Sequence, residues 1–197
     1  MTHNDGEGQM NYTYMDSPVG RLLLAGDGKR LKLIGFSTGA RARGAQPDWE
    51  RYDEPFRTAK RQLGEYFDGR RRYFDIELAP DVTPFQGKVL EALLEIPYGE
   101  TRSYGEIARA IGQPRAVRAV GGANGNNPIP IVIPCHRVIG SNGALTGFGG
   151  GLDTKQYLLD LERSHSGLFE GLAGDSQRAP QQPVRVGKGQ VVFTVTR

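Results

Sequence analysis

Three prolines, Pro128, Pro130 and Pro134, fall within seven residues of the apolar run NNPIPIVIPCHRVIG. Proline fixes φ, lacks an N–H and clashes with the preceding helical turn, so no helix can pass through this segment. It is stiff and extended. Any helices must stop before it and begin again after it.

The chain changes texture along its length. Upstream, YTYM, RLLLAG and RLKLIGF are β-like, and Asp27-Gly28 between the last two is a hairpin signal. Tyr52 to Phe67 reads as a helix, because Phe56, Ala59, Leu63, Tyr66 and Phe67 recur at spacings of three and four. Gly69 ends it, and RYFDIELA reads as a further strand. This half carries no recognisable chemistry. Pro80 to Pro84 form a linker. Beyond it, Phe85, Val89, Leu90, Leu93 and Leu94 predict an amphipathic helix, stopped by Pro97-Tyr98-Gly99. Ser103 with Glu106 is a capping box opening a second helix, whose apolar face is Ile107, Ala108 and Ile111. Gly112-Gln113-Pro114 is a short turn, with Pro114 at the first position of a third helix. Gly140 to Gly151 is a glycine-rich loop containing Phe148. Asp153 then caps a last helix, with Tyr157, Leu158 and Leu161 apolar and Glu162 near its end.

The resulting fold class is α/β (α+β). Residues 1–10 are expected to be disordered. Residues 11–80 form a small mixed domain of hairpin, sheet and helix. Residues 83–165 form a mostly helical domain with a helix-turn-helix. Residues 166–197 are a Gly-, Ser-, Gln- and Pro-rich tail, expected to be flexible, in which QVVFTV has strand character.

Two short helices joined by a tight glycine-containing turn serve either as a corner within a core or as a DNA-binding motif. Local charge favours the second. Residues 101–118 hold Arg102, Arg109, Arg115 and Arg118 against one acid, Glu106. Alanine and glycine in the second helix, Ala119 and Gly121 among them, let its backbone approach a partner closely. The net charge of +3 is compatible with nucleic acid without establishing it. No stretch of about 18 apolar residues is present, and the polar first residues lack a signal-peptide pattern. The expectation is a soluble, intracellular (cytoplasmic) protein without a membrane partner.

Cys135 is the chain's one cysteine, which excludes an internal disulfide and a cysteine-rich zinc site. A lone cysteine is either a small buried hydrophobe or a reactive thiol. His136 and Arg137 follow it directly and supply a base and a positive charge. Adjacent residues do not face each other on a helix, so His136 is expected to reach the sulfur through a water. A carboxylate on the far side of the imidazole would fix its tautomer.

The string IPCHRVIG, preceded by AVRAVGGANGNNPIP, resembles the O6-alkylguanine-DNA alkyltransferases, also called methylated-DNA–protein-cysteine methyltransferases. The likeness runs from Thr83 to Glu162 through PFQGKVLEAL and IPYGETRSYGEIA. It implies that Cys135 accepts an alkyl group, that His136 takes its proton through water and that Glu162 orients His136. Asn127 would brace the turn before the cysteine. Tyr104 would donate a proton towards the leaving base, and Arg118 would replace the extruded nucleotide in the stack. Ser103, Arg115, Ala119 and Gly121 would contact DNA. Pro130, Val138, Phe148, Gly149 and Gly150 would wall the base pocket. The implied partner is double-stranded DNA carrying an alkylated base, met by a monomer without cofactor or metal. The product is a thioether, which does not turn over.

Phe148 stands where many relatives in that family carry tyrosine, so one pocket hydroxyl is absent. The three histidines, His3, His136 and His165, provide no set for the structural zinc of some members. Three other readings compete: a lesion-binding protein that flags damage without transfer, a helix-turn-helix regulator, and a cysteine hydrolase. Cys135 argues against the first, no additional DNA-binding domain supports the second, and the third needs an oxyanion hole.

Overall fold

The structure, a computed structural model, describes residues 9–166 and the backbone of six tail residues in three short strands. Asp27-Gly28 closes a hairpin between β2 (Leu22–Gly26) and β3 (Leu31–Phe36), with a register shift at Ala25/Gly26. The Asp27 carboxylate accepts from the backbone N–H groups of Lys29 and Arg30, which fixes the turn. β1 (Asn11–Met15) adds antiparallel to β2. Leu22, Leu23, Leu24 and Ala25 are all buried, so the middle strand is covered on both faces. β4 (Glu50–Arg51) lies parallel to β1, and β5 (Glu77–Leu78) lies parallel to β3.

Two expectations for this half are corrected. The helix α1 spans Arg57–Phe67 rather than starting at Tyr52. Tyr52 is instead tied to the sheet through its N–H and the Tyr12 carbonyl, and Pro55 opens a short 3-10 turn, Glu54–Phe56, ahead of the helix. The expected strand RYFDIELA shrinks to β5. The apolar stripe holds: Phe56, Ala59, Leu63, Tyr66 and Phe67 are buried. Gly69, at φ +69°, supplies the left-handed residue that ends the helix. Of the ten residues expected to be disordered, 1–8 lie outside the described residues. Gln9 and Met10 hydrogen-bond to the segment around Glu50.

The second half begins with α2 (Pro84–Leu94), started by a capping box between Thr83 and Gln86 that the linker reading passed over. The Ser103–Glu106 capping box opens α3 (Tyr104–Ala110) as expected. Pro114 does not begin the next helix. Residues 113–116 make a turn closed by the Ala116 N–H on the Gln113 carbonyl, and α4 runs Val117–Gly125. Arg115 therefore sits in the turn and Arg118 in the helix's first turn. The last helix, α5 (Leu152–Ser166), includes Asp153 in its first turn rather than as its cap.

The proline segment joins the halves. The Pro128 carbonyl accepts from Ile34 N–H on β3, 2.8 Å away. β6 (Arg102–Ser103) pairs parallel with β7 (Val138–Ile139), tying the start of α3 to the chain just past Cys135. Buried side chains from Leu22 to Leu158 form one continuous apolar cluster. In the tail, β8 (Val186–Gly187) pairs with β9 (Gln190–Val191), and β10 (Phe193–Thr194) lies antiparallel to β5. Strand character within QVVFTV is thus realised at Gln190–Val191 and Phe193–Thr194; of the tail 166–197 expected to be flexible, Ser166 instead ends α5, and the flexibility expected of the rest falls largely on residues outside the described ones. Among the described residues, no helix is long and apolar enough to cross a membrane.

Candidate active site

The extended proline segment ends in a single 3-10 turn, Cys135–Arg137, that points three functional side chains into the protein. Its geometry is held from behind. The Asn127 side chain accepts from Ile129 N–H and donates to the Ile133 carbonyl. Asn124 donates to the carbonyl of Cys135. Ile131 adopts φ +75°, a left-handed conformation costly for a β-branched residue, and its burial holds it there. Strain of this kind is tolerated where the surroundings fix the chain.

Cys135, His136, Arg137 and Glu162 are all buried. Glu162 Oε1 meets His136 Nε2 at 2.8 Å, and Arg137 makes a two-pronged contact with both carboxylate oxygens at 2.8 and 2.9 Å. Glu162 also accepts from Gly99 N–H and from the hydroxyl of Tyr66 on α1. The expectation that Glu162 orients His136 rests on a carboxylate which is wholly withdrawn from solvent rather than one of many exposed helix acids. Burial pushes its pKa up, but the Arg137 guanidinium and the hydrogen bonds donated by His136 and Arg137 outweigh this and hold it far below the usual carboxylate range. Burial pushes His136 down, against the pull of Glu162, so the imidazole is neutral at neutral pH. A neutral ring facing a carboxylate carries its proton on Nε2. Nδ1 has no hydrogen-bond partner among the described residues and keeps its lone pair.

Burial pushes the Cys135 thiol up to about 11, against the Asn127 side chain, the charge of Lys155 and the backbone N–H groups of Cys135 and His136. The resting site thus holds a thiol, not a preformed thiolate. Lys155, about two helical turns before Glu162, is fully buried and donates to the carbonyls of Val138 and Thr146. Burial lowers its pKa to about 8. Sequence reasoning missed it. The only signal was a lysine on the α5 stripe that also carries Leu158 and Glu162.

A small cavity of about 20 Å³ opens beside Cys135. Of the residues proposed from the resemblance to wall a base pocket, Pro130, Phe148 and Gly149 line this cavity, whereas Val138 and Gly150 do not. Val138 instead offers its carbonyl to Lys155. Gly150 packs against Phe36, where an added Cβ would lie 2.9 Å from the ring. Phe36 and Phe148 rings meet at 5.5 Å. Ile34, Phe36, Arg41 and Arg43 complete the wall from the half that seemed to carry no chemistry. Arg41 also bonds Gly125 and Asn126 at the end of α4 and, through its N–H, the Gly149 carbonyl. The connection 38–50 gave no sign of this, because its partners are distant in sequence.

Tyr104 is half-buried, and its hydroxyl accepts from Thr146 Oγ1 at 3.1 Å, leaving its own proton free to donate. Arg115, Arg118 and Ala119 are exposed together at the start of α4. Gly121 lies farther along α4, where an added Cβ would be 3.8 Å from the Tyr104 ring. The hydroxyl of Ser103 is engaged in its capping box. Among the described residues, no three His, Cys, Asp or Glu side chains come together in a way that could hold a metal ion.

Residues 84–164 match the family model described as 6-O-methylguanine DNA methyltransferase, DNA binding domain. Residues 10–80 match that of the same methyltransferase's ribonuclease-like domain. A methylated-DNA–protein-cysteine methyltransferase of Methanosarcina acetivorans is 54% identical over 155 residues, 79% of this chain and 99% of its own. One from Mycolicibacterium paratuberculosis is 53% identical over 157 residues, 80% of this chain and 94% of its own. The crystal structure of Mycobacterium tuberculosis OGT in complex with DNA superposes with a TM-score of 0.74 at 50% identity, covering 79% of this chain and 94% of that one.

Proposed function

The chain belongs to the 6-O-methylguanine DNA methyltransferase family, and from that premise we propose how its own residues carry out the transfer. It repairs DNA by direct reversal, moving an alkyl group from DNA onto a cysteine of its own. The acceptor is Cys135, and the lesion is an O6-alkylguanine extruded from the duplex, with O4-methylthymine as a second substrate. The protein acts as a monomer inside the cell.

The exposed start of α4 meets the phosphates, which gives affinity without reading sequence. Arg118 takes the place of the flipped nucleotide, offsetting an unstacking cost of a few kcal/mol. In the pocket, neutral His136 draws the thiol proton to Nδ1, directly or through one water, while Glu162 steadies the imidazolium that forms. Lys155, Asn127 and the backbone N–H groups at Cys135 and His136 stabilise the developing thiolate. The sulfur attacks the alkyl carbon in line. An S–C bond forms, the C–O6 bond breaks, and the electron pair leaves on the guanine, towards which Tyr104 directs its free hydroxyl proton. The thioether left on Cys135 is a poor leaving group, so each molecule acts once. Lesion binding without transfer does not account for a cysteine placed in the pocket.

The single observation that supports this reading most is His136 itself, the residue next to Cys135 in the chain: one ring nitrogen is held by Glu162, and the other is buried with no hydrogen-bond partner among the described residues. The test is incubation with a duplex containing O6-methylguanine, followed by peptide mass analysis. A gain of one methylene on the Cys135 peptide, never more than once per protein and absent from Cys135→Ser, is expected. An unmodified Cys135 with the lesion intact would sink the assignment.

A further inference from the structure

The N-terminal half reaches into the transfer site at a second place besides the pocket wall. Tyr66 lies on α1, is fully buried, and sits among the rings of Phe67, Phe74 and Tyr98. Its hydroxyl donates to Glu162 Oε1 at 2.8 Å, the same oxygen that His136 Nε2 contacts at 2.8 Å. Two donors separated by 70 residues of sequence thus compete for one carboxylate oxygen. A carboxylate holding an additional donor pulls less strongly on the next one.

We propose that Tyr66 is a positioning residue of the alkyl-transfer site, which fixes Glu162 Oε1 and limits how strongly that oxygen holds the imidazolium form of His136. The proposal rests on the reading of His136 as the base for Cys135. Burial keeps the Tyr66 hydroxyl protonated, so it acts as a donor across the working pH range. The other titratable or charged groups around the pair are Cys135 and Arg137 on the 3-10 turn, Lys155 on α5, and Tyr98 and Arg72 on flanking loops. None of them removes the competition, because none contacts Oε1 except Arg137, whose Nη2 does so at 2.9 Å and is present alike in every variant compared below. Tyr98 serves as a control. It packs against Tyr66, yet its hydroxyl has no hydrogen-bond partner among the described residues.

The experiment compares wild type, Tyr66→Phe and Tyr98→Phe as full-length proteins. With only three histidines in the chain, histidine-selective NMR resolves His136. In Tyr66→Phe, the titration of His136 is expected to move to higher pH while His165 stays put. The acid limb of single-turnover transfer from O6-methylguanine duplex moves with it, so transfer at the acid end slows about three- to tenfold. DNA affinity and the rate at alkaline pH stay near wild type. Tyr98→Phe leaves both profiles unmoved. Should Tyr66→Phe not fold, 3-fluorotyrosine placed at position 66 keeps the ring and strengthens the donor, and it moves the His136 titration the opposite way. Superimposable His136 titrations in both Tyr66 variants and wild type would overturn the proposal. A moved titration with an unmoved transfer profile would overturn instead the role of His136 as base.

Discussion

Replacing Glu162 by glutamine removes one charge and changes no volume, so its effect isolates the electrostatics of the buried site. Five donors converge on the carboxylate: His136 Nε2, two guanidinium nitrogens of Arg137, the Tyr66 hydroxyl and Gly99 N–H. A glutamine can keep one oxygen on the His136–Tyr66 side. Its NH2 group then faces Arg137 Nε and Gly99 N–H, donor against donor. The Arg137 guanidinium, buried and also bonded to the Ile96 carbonyl, loses its counter-charge and cannot turn to water. Breaking a buried pair by removing one partner costs about 3–5 kcal/mol, because an uncompensated charge stays behind. For a chain of this size, about 4 kcal/mol corresponds to a fall in Tm of about 8–16 °C. The pH dependence has a definite sign. Glu162 has a folded pKa far below its unfolded value of 4.5, so its contribution is complete above about pH 4.5 and is lost as pH falls further. Urea unfolding of both proteins from pH 7 down to pH 3 measures this. The gap should be about 4 kcal/mol at pH 7 and narrow steadily below pH 4.5. A gap under about 1 kcal/mol at pH 7, or one that does not change on acidification, refutes the account of a buried charged relay.

Lys155→Met is expected to change stability by less than about 2 kcal/mol, since two lost hydrogen bonds are offset by relief of a buried ammonium. Single-turnover transfer should nevertheless fall by about tenfold or more, the equivalent of one pKa unit or more at Cys135; an unchanged rate with lowered stability would make Lys155 purely structural. Gly150→Ala forces the Phe36 ring to move and costs about 1–3 kcal/mol by denaturant unfolding. In competition assays it should lose more activity on O6-benzylguanine than on O6-methylguanine DNA, because the displaced ring narrows the pocket. Arg118→Ala should slow transfer from duplex DNA by about tenfold or more while leaving transfer from a free O6-alkylated base unchanged. Equal losses on both substrates would place Arg118 in the chemistry rather than in base extrusion.

What the sequence determined by itself was local. The Asp27-Gly28 hairpin, the Ser103–Glu106 capping box and the buried stripe of α1 are each written within a few residues, so the physics that makes them operates before any tertiary contact forms. The Cys135-His136 pair was legible for the same reason, as a motif within one short string. Boundaries were less secure: the first helix begins at Arg57 rather than Tyr52, and Pro114 precedes its helix instead of opening it, because turns tied to the sheet or to Gln113 satisfy the backbone there first. Tertiary structure alone decided the electrostatics. Glu162 looks like any exposed helix acid until packing buries it beside Arg137, and Lys155 like a solvated lysine until its head is enclosed by two carbonyls. Tyr66 has the spacing of a core residue, and it is one, yet its hydroxyl ends on the relay. Arg41 and Phe36 reach the pocket across more than eighty residues of chain. Burial raises the energy of every charge that lacks a partner, and which partners meet depends on contacts distant in sequence, so pattern and propensity carry no record of them.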